Sequence, residues 1–224
     1  MKTKILLPTV SGIALVILLV AVFTINSSIP SNERQIPITQ KPITEKISYP
    51  ITFSYNATNF NIQSILASKG ISMSNPLKFS GNATAQYCTF YQDDIKQNSV
   101  EYCTSTELKD SDGKFLGNIH MTGSIDSPNA ILGVIQTDPF MNQLDSVKIV
   151  YQTMVESVVC DCWQAQKPGN LESISAWVDA AKFHHLDGKH TTSNSQIDGL
   201  AQKHLFLEIT TNTKGYLWKF VITN

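Results

Sequence analysis

From Thr9 to Ile25 the chain runs seventeen residues, TVSGIALVILLVAVFTI, without a charge, and Ile5, Leu6 and Leu7 carry the apolar character back across Pro8 to Lys4. A helix rising ~1.5 Å per residue makes such a run the right size for a bilayer core of ~30 Å. A secretory signal shares the basic start but has a shorter apolar core and a small-residue cleavage site. Thr24 to Ser28 contain no A-x-A pattern, and the first cysteine, Cys88, is too distant to serve for lipidation. The run at 9–25 therefore reads as an uncleaved signal-anchor, with removal as a signal the alternative.

Lys2 and Lys4 precede the run and nothing basic follows until Arg34. The positive-inside bias then places residues 1–8 in the cytoplasm and everything after residue 25 outside. The expected localisation is the cell membrane, single-pass, with an extracytoplasmic body. Sequons at Asn56 and Asn82 fit an exported glycoprotein, and an even number of cysteines, four, fits a compartment that permits disulfides.

Residues 26–48 hold Pro30, Pro37 and Pro42, and the unit Pro-Ile-Thr recurs at 37, 42 and 50. Proline fixes φ and removes a donor, so an extended stalk is expected. A proline-motif docking site is the sharper reading, but the repeat has no P-x-x-P core.

The body, 49–224, has the size of one domain. Alternation of Ile51, Phe53 and Tyr55 suggests a strand over 49–55, followed by a helix over 61–69 with Gly70 as its stop. Strands are expected at about 84–92, 99–109, 114–125 and 130–137, separated by turn-rich segments. Asp138 and Pro139 suit the start of a helix whose buried seam is Phe140, Leu144, Val147, Tyr151, Met154 and Val158. That helix should run to Pro168-Gly169. A second spans about 171–186, a polar loop 189–202, and a hairpin pairs 205–211 with 216–223. The fold class is α+β: an antiparallel meander packed by two central helices, with a C-terminal β-hairpin, preceded by a single transmembrane helix.

Cys88 and Cys103 sit symmetrically about the 93–98 loop on what read as successive strands, which places them opposite one another as a disulfide. Cys160-Asp161-Cys162 is less direct. Residues two apart on an intact helix point about 200° apart and cannot hold one ion. If the helix ends early, both sulfurs can turn one way, and His184, His185, His190, His204 or His120 become nitrogen donors for copper or zinc. Cys160, Cys162, His184 and His185 are the metal candidates. A disulfide or a buried structural role for the two cysteines is the alternative. His185 follows Ala181 by four and should pack in the last turn of its helix, where an imidazolium suits the dipole.

The chain contains no G-x-S-x-G, H-E-x-x-H, P-loop or dinucleotide glycine fingerprint, and no catalytic residue is assigned. Beyond Lys4 fifteen basic residues face eighteen acidic ones, and Arg34 is the sole arginine, so nucleic acid and phosphorylated substrates are poor ligands. The expectation is a membrane-anchored extracytoplasmic binding or accessory domain, non-catalytic, with a protein partner at the cell surface. The alternatives are a metal-handling or redox protein using Cys160 and Cys162, and an extracytoplasmic hydrolase.

Overall fold

Three helices lie against one face of an antiparallel sheet, and the other face is only partly covered. The computed structural model describes residues 53–91 and 94–224, all within one compact unit, Ile47–Asn224. The expected anchor at 9–25, its flank at 1–8, the stalk at 26–48 and residues 49–52 fall outside the described residues. Among the described residues no helix is long and apolar enough to cross a membrane.

The elements, in chain order, are α1 (Tyr55–Ser68), β1 (Ser72–Met73), β2 (Leu77–Ser80), α2 (Asn82–Tyr87), α3 (Asp94–Asn98), β3 (Tyr102–Lys109), β4 (Phe115–Gly123) and β5 (Pro128–Thr137). Then follow α4 (Leu144–Val158), α5 (Trp163–Gln166), a 3-10 turn (Pro168–Asn170), α6 (Ile174–Asp187), β6 (Thr192–Leu200), β7 (Lys203–Asn212) and β8 (Gly215–Thr223). The fold is α+β, with an eight-stranded antiparallel sheet in the order β1-β3-β4-β5-β8-β7-β6 and β2 paired beside β1 along β3.

The meander β3-β4-β5 is as expected, but the C-terminal part is larger than a hairpin. Residues 192–200 form β6, an edge strand paired to β7, where a polar loop was expected. Its residues are mostly exposed, with Ser193, Ile197 and Leu200 buried, so its composition is that of a loop. β8 lies between β7 and β5, and thereby joins the last three strands to the meander.

Ser54 opens α1 where a strand was expected: its Oγ accepts the Ala57 N–H at 3.3 Å, while its own N–H reaches Thr58 Oγ1 at 3.2 Å. These bonds satisfy donors at the helix start, so Tyr55 is the first residue of the helix and not the last of a strand. Gly70, at φ +79°, follows the helix end as expected. The expected strand at 84–92 is instead α2 and, over 88–91, an irregular segment; residue 92 falls outside the described residues.

α4 also starts later than the Asp138-Pro139 signal suggests. The Asp138 carboxylate accepts the N–H groups of Phe140 and Asn142, each at 3.0 Å, and closes a turn. Met141 then takes φ +55°, which breaks helical continuity, so Phe140 is 85% exposed rather than on the seam. From Val147 to Val158 the seam is buried as its spacing predicts. Gly133 lets α4 approach the sheet: a Cβ there would stand 2.7 Å from the Met154 sulfur and 3.1 Å from Tyr151.

α1, α4 and α6 pack side by side over this face. Ile119, Met121, Ile131, Ile135, Trp218, Phe220, Leu205, Leu207 and Ile209 supply the sheet's half of the core. Strand alternation sends their neighbours to the opposite face.

Candidate functional site

The neighbours on that opposite face stand in cross-strand rows. One row runs Cys103, Thr122, Ala130, Thr223, His204 and Asp198, and the next runs Ser105, His120, Leu132, Val221, Phe206 and Gln196. Over their first half crosses the segment formed by residues 88–91 and 94–100. Between it and the β6–β7 hairpin is an open groove of about 600 Å³, whose lining includes Phe90, Tyr91, Phe206, Val221, Lys219 and Glu208.

The wall of the groove is held by several separate ties. Cys88, buried at the end of α2, is disulfide-bonded to Cys103 on β3, so the bridge joins the segment to the sheet. The Gln97 side chain acts as a substitute strand partner. Its Oε1 accepts the N–H groups of Phe90 and Tyr91 at 2.9 and 3.1 Å, and its Nε2 donates to the Cys88 carbonyl at 2.9 Å. Tyr91 Oη meets Thr122 Oγ1 at 3.0 Å, and Lys219 Nζ donates to the Phe90 carbonyl at 3.0 Å. Burial raises the Tyr91 phenol above its usual range, so it stays a neutral hydrogen-bonding group.

Beneath the wall, Phe90 packs on His120 with ring centroids 4.5 Å apart, and His120 Nδ1 is buried without a partner. Burial lowers this imidazole from its usual 6.5 to about 4. The unfolded chain therefore binds the extra proton between those values, and stability that is complete above pH 6.5 falls as the pH drops through the folded-state value. The expected loss on reaching pH 4 is on the order of 3 kcal/mol. Urea denaturation at about pH 7 and about pH 4 checks this, since His120→Leu should flatten the difference; an unchanged slope in that variant refutes the assignment.

At the far rim, His204 Nδ1 and Asp198 Oδ1 are 2.8 Å apart, both exposed, and Gln196 Nε2 donates to the other Asp198 oxygen at 3.1 Å. Among the described residues the His204 side chain makes no further hydrogen bond, although Thr223 is its register partner. The rim thus carries a histidine–carboxylate pair with no hydroxyl nucleophile bonded to it.

The bridge Cys88–Cys103 expected from the sequence is present, but not for the reason expected. Cys88 lies on no strand, and the joined elements are a helix end and β3. Cys160 and Cys162 both lie beyond the end of α4, are buried, and are disulfide-bonded to each other, which corrects the expected run of that helix to Pro168-Gly169. Their sulfurs are thereby occupied. Among the described residues no group of three or more His, Cys, Asp or Glu could hold a metal ion, so the four metal candidates do not assemble around copper or zinc.

His184 packs against His190 in a tilted ring contact, with centroids 4.8 Å apart, at the end of α6. His185 is buried there, as its spacing predicts, with Nδ1 and Nε2 each 2.8 Å from the hydroxyls of Ser193 and Thr211. Burial first, then the neighbouring His190 and His184, lower its pKa, so a neutral ring replaces the expected imidazolium. Asn56 and Asn82 are exposed, each in the first turn of a helix, and the threonine of each sequon is buried.

Of the residues at the groove, the sequence singled out His204, as a nitrogen donor, and of those beneath its wall His120, in the same role. The available signal was the alternation around Phe206, which sends it away from Leu205 and Leu207. Compared with protein-family models, curated proteins and solved structures, the chain matches none.

Proposed function

We propose that this chain is a membrane-tethered, extracytoplasmic and non-catalytic binding domain that uses the groove on the free sheet face. In this reading residues 9–25 anchor it, 26–48 form a stalk, and Asn56 and Asn82 are glycan acceptors. The observation that carries the binding role is a wall braced internally by Gln97 and fastened to the sheet by a disulfide, a tyrosine and a lysine, beside an open groove. A preformed, partly apolar concavity edged by polar groups is the usual form of a recognition site. Two disulfides support export, because such bonds persist in oxidising compartments.

The ligand that fits is a segment of a surface protein with an apolar side chain seated between Phe90, Phe206 and Val221. Lys219 and Glu208, cross-strand neighbours in the groove, then meet the polar backbone or flanking charges of that segment. A photo-reactive benzophenone amino acid placed at Phe206 or Tyr91 in the full chain, in intact cells, is expected to give one discrete crosslinked protein. The same group at Asp112, exposed at the β3–β4 turn, should not give it. Equal labelling from all three positions, or none from the groove, refutes the reading.

A further inference from the structure

The two disulfides of this domain differ in what they do for it. Cys88 and Cys103 are fifteen residues apart and both fully buried, so their bond restrains a long loop where no reductant reaches it. Cys160 and Cys162 enclose one residue, Asp161. Restraint of the unfolded chain diminishes as the enclosed loop shortens, so this bond contributes the smaller share of stability.

Nor is the second bond needed to hold its loop. The N–H groups of Val159 and Cys160 both donate to the Val155 carbonyl, at 2.8 and 3.1 Å, and the Cys162 carbonyl accepts from Ala165 and Gln166 at 3.1 and 3.0 Å. With the Cα atoms 5.1 Å apart on a backbone fastened from both sides, the thiols of a reduced pair stay poised to close again. Cys160 also lines a surface cleft of about 120 Å³, which Glu156 and Asp161 edge with carboxylates. Glu156 is engaged by Gln152 at 2.6 Å and by Lys69 at 4.0 Å, whereas Asp161 is exposed.

We infer that Cys160–Cys162 is a thiol-exchange site that oxidises small thiols entering this cleft, with a preference for cationic ones. An incoming thiolate attacks Sγ of Cys160, the cysteine of the pair that lines the cleft and keeps 5% of its surface exposed. A bond forms between the two sulfurs, the Cys160–Cys162 bond breaks, and Cys162 leaves as a thiolate that takes a proton from solvent. A second thiolate attacks the substrate sulfur of this mixed disulfide and releases the substrate disulfide, and Cys160 leaves as a thiolate and is protonated. Two thiols have lost two electrons and the protein holds two thiols; no other oxidant enters. The carboxylates at the cleft mouth favour a positively charged thiol over a negative one, and salt weakens that preference.

The test exposes the full native chain to increasing cysteamine, quenches it with an alkylating agent, and maps labelled cysteines by mass spectrometry. Cys160 and Cys162 are expected to open at about a tenth of the thiol concentration that opens Cys88–Cys103, or lower. Cysteamine should act faster than mercaptoethanesulfonate, and Asp161→Asn should narrow that gap. Cys162→Ala, treated with cystamine, should carry one cysteamine adduct on Cys160. The inference is overturned if both bridges open together or only in denaturant, or if Cys160 in the variant stays unmodified while the wild-type pair resists reduction. An absent charge preference overturns the assignment to cationic thiols. This outcome is independent of the groove, whose crosslinking tests a different surface.

Discussion

Replacing both Cys88 and Cys103 with Ala is expected to lower the stability of the domain by about 3 kcal/mol and to release the wall of the groove. The magnitude follows from a bridge over a fifteen-residue separation, whose restraint on the unfolded chain is worth about that much in the chain-entropy description. The effect on the groove follows from position. Without the bridge, Gln97 still ties Phe90 and Tyr91 within the wall, and Tyr91 and Lys219 still tie it to the sheet. Urea denaturation reads the first effect. Hydrogen exchange at the Phe90 and Tyr91 amides reads the second, since both donate to Gln97. A loss below about 1 kcal/mol with unchanged exchange would show that the wall stands without the bridge.

Phe220→Ala should cost about 3–5 kcal/mol. This side chain is fully buried at the meeting of helices and sheet, with its ring 4.7 Å from Tyr151 of α4 and 5.8 Å from Trp177 of α6. Truncation leaves a cavity that two helices and two neighbouring strands must share, and none of them can close it without losing contacts elsewhere. Phe206→Ala is the natural control. Phe206 belongs to the next strand but faces the groove and is half-buried, so its loss should cost only about 1 kcal/mol and act instead on recognition. Equal midpoints for the two variants in urea would contradict the assignment of one phenylalanine to the core and the other to the groove.

The same pair of residues illustrates how much of the site could be read in advance. The late aromatics Phe206, Trp218 and Phe220 all suggest core packing, and for Trp218 and Phe220, both fully buried, that is where they are. Phe206 follows the same composition on the opposite face. What gives it a different role is the Cys88–Val100 segment above it, which comes from a distant part of the sequence. Lys219 reads as a solvated charge on a strand, yet its Nζ fastens that segment through the Phe90 carbonyl.

Local patterning by itself determined the elements whose signals are self-contained: the seam from Val147 to Val158, the strands around the Asp110–Lys114 turn, the helix before Gly188, and the last two strands. In each, the period of apolar residues and the turn or cap chemistry agree, so neighbours in sequence suffice. Tertiary structure alone decided the rest. Residues 192–200 are a strand because β7 offers a ladder to pair with, despite a polar composition. The segment at Thr89–Tyr91 fails to become one because the edge of β3 is already taken by β1 and β2, and its amides turn to Gln97 instead. Which face of the sheet the helices cover, and hence which face is left to form a groove, is set by long-range packing of α1, α4 and α6. Sequence periodicity marks two sides of a strand, but only the folded chain decides which of them is left open.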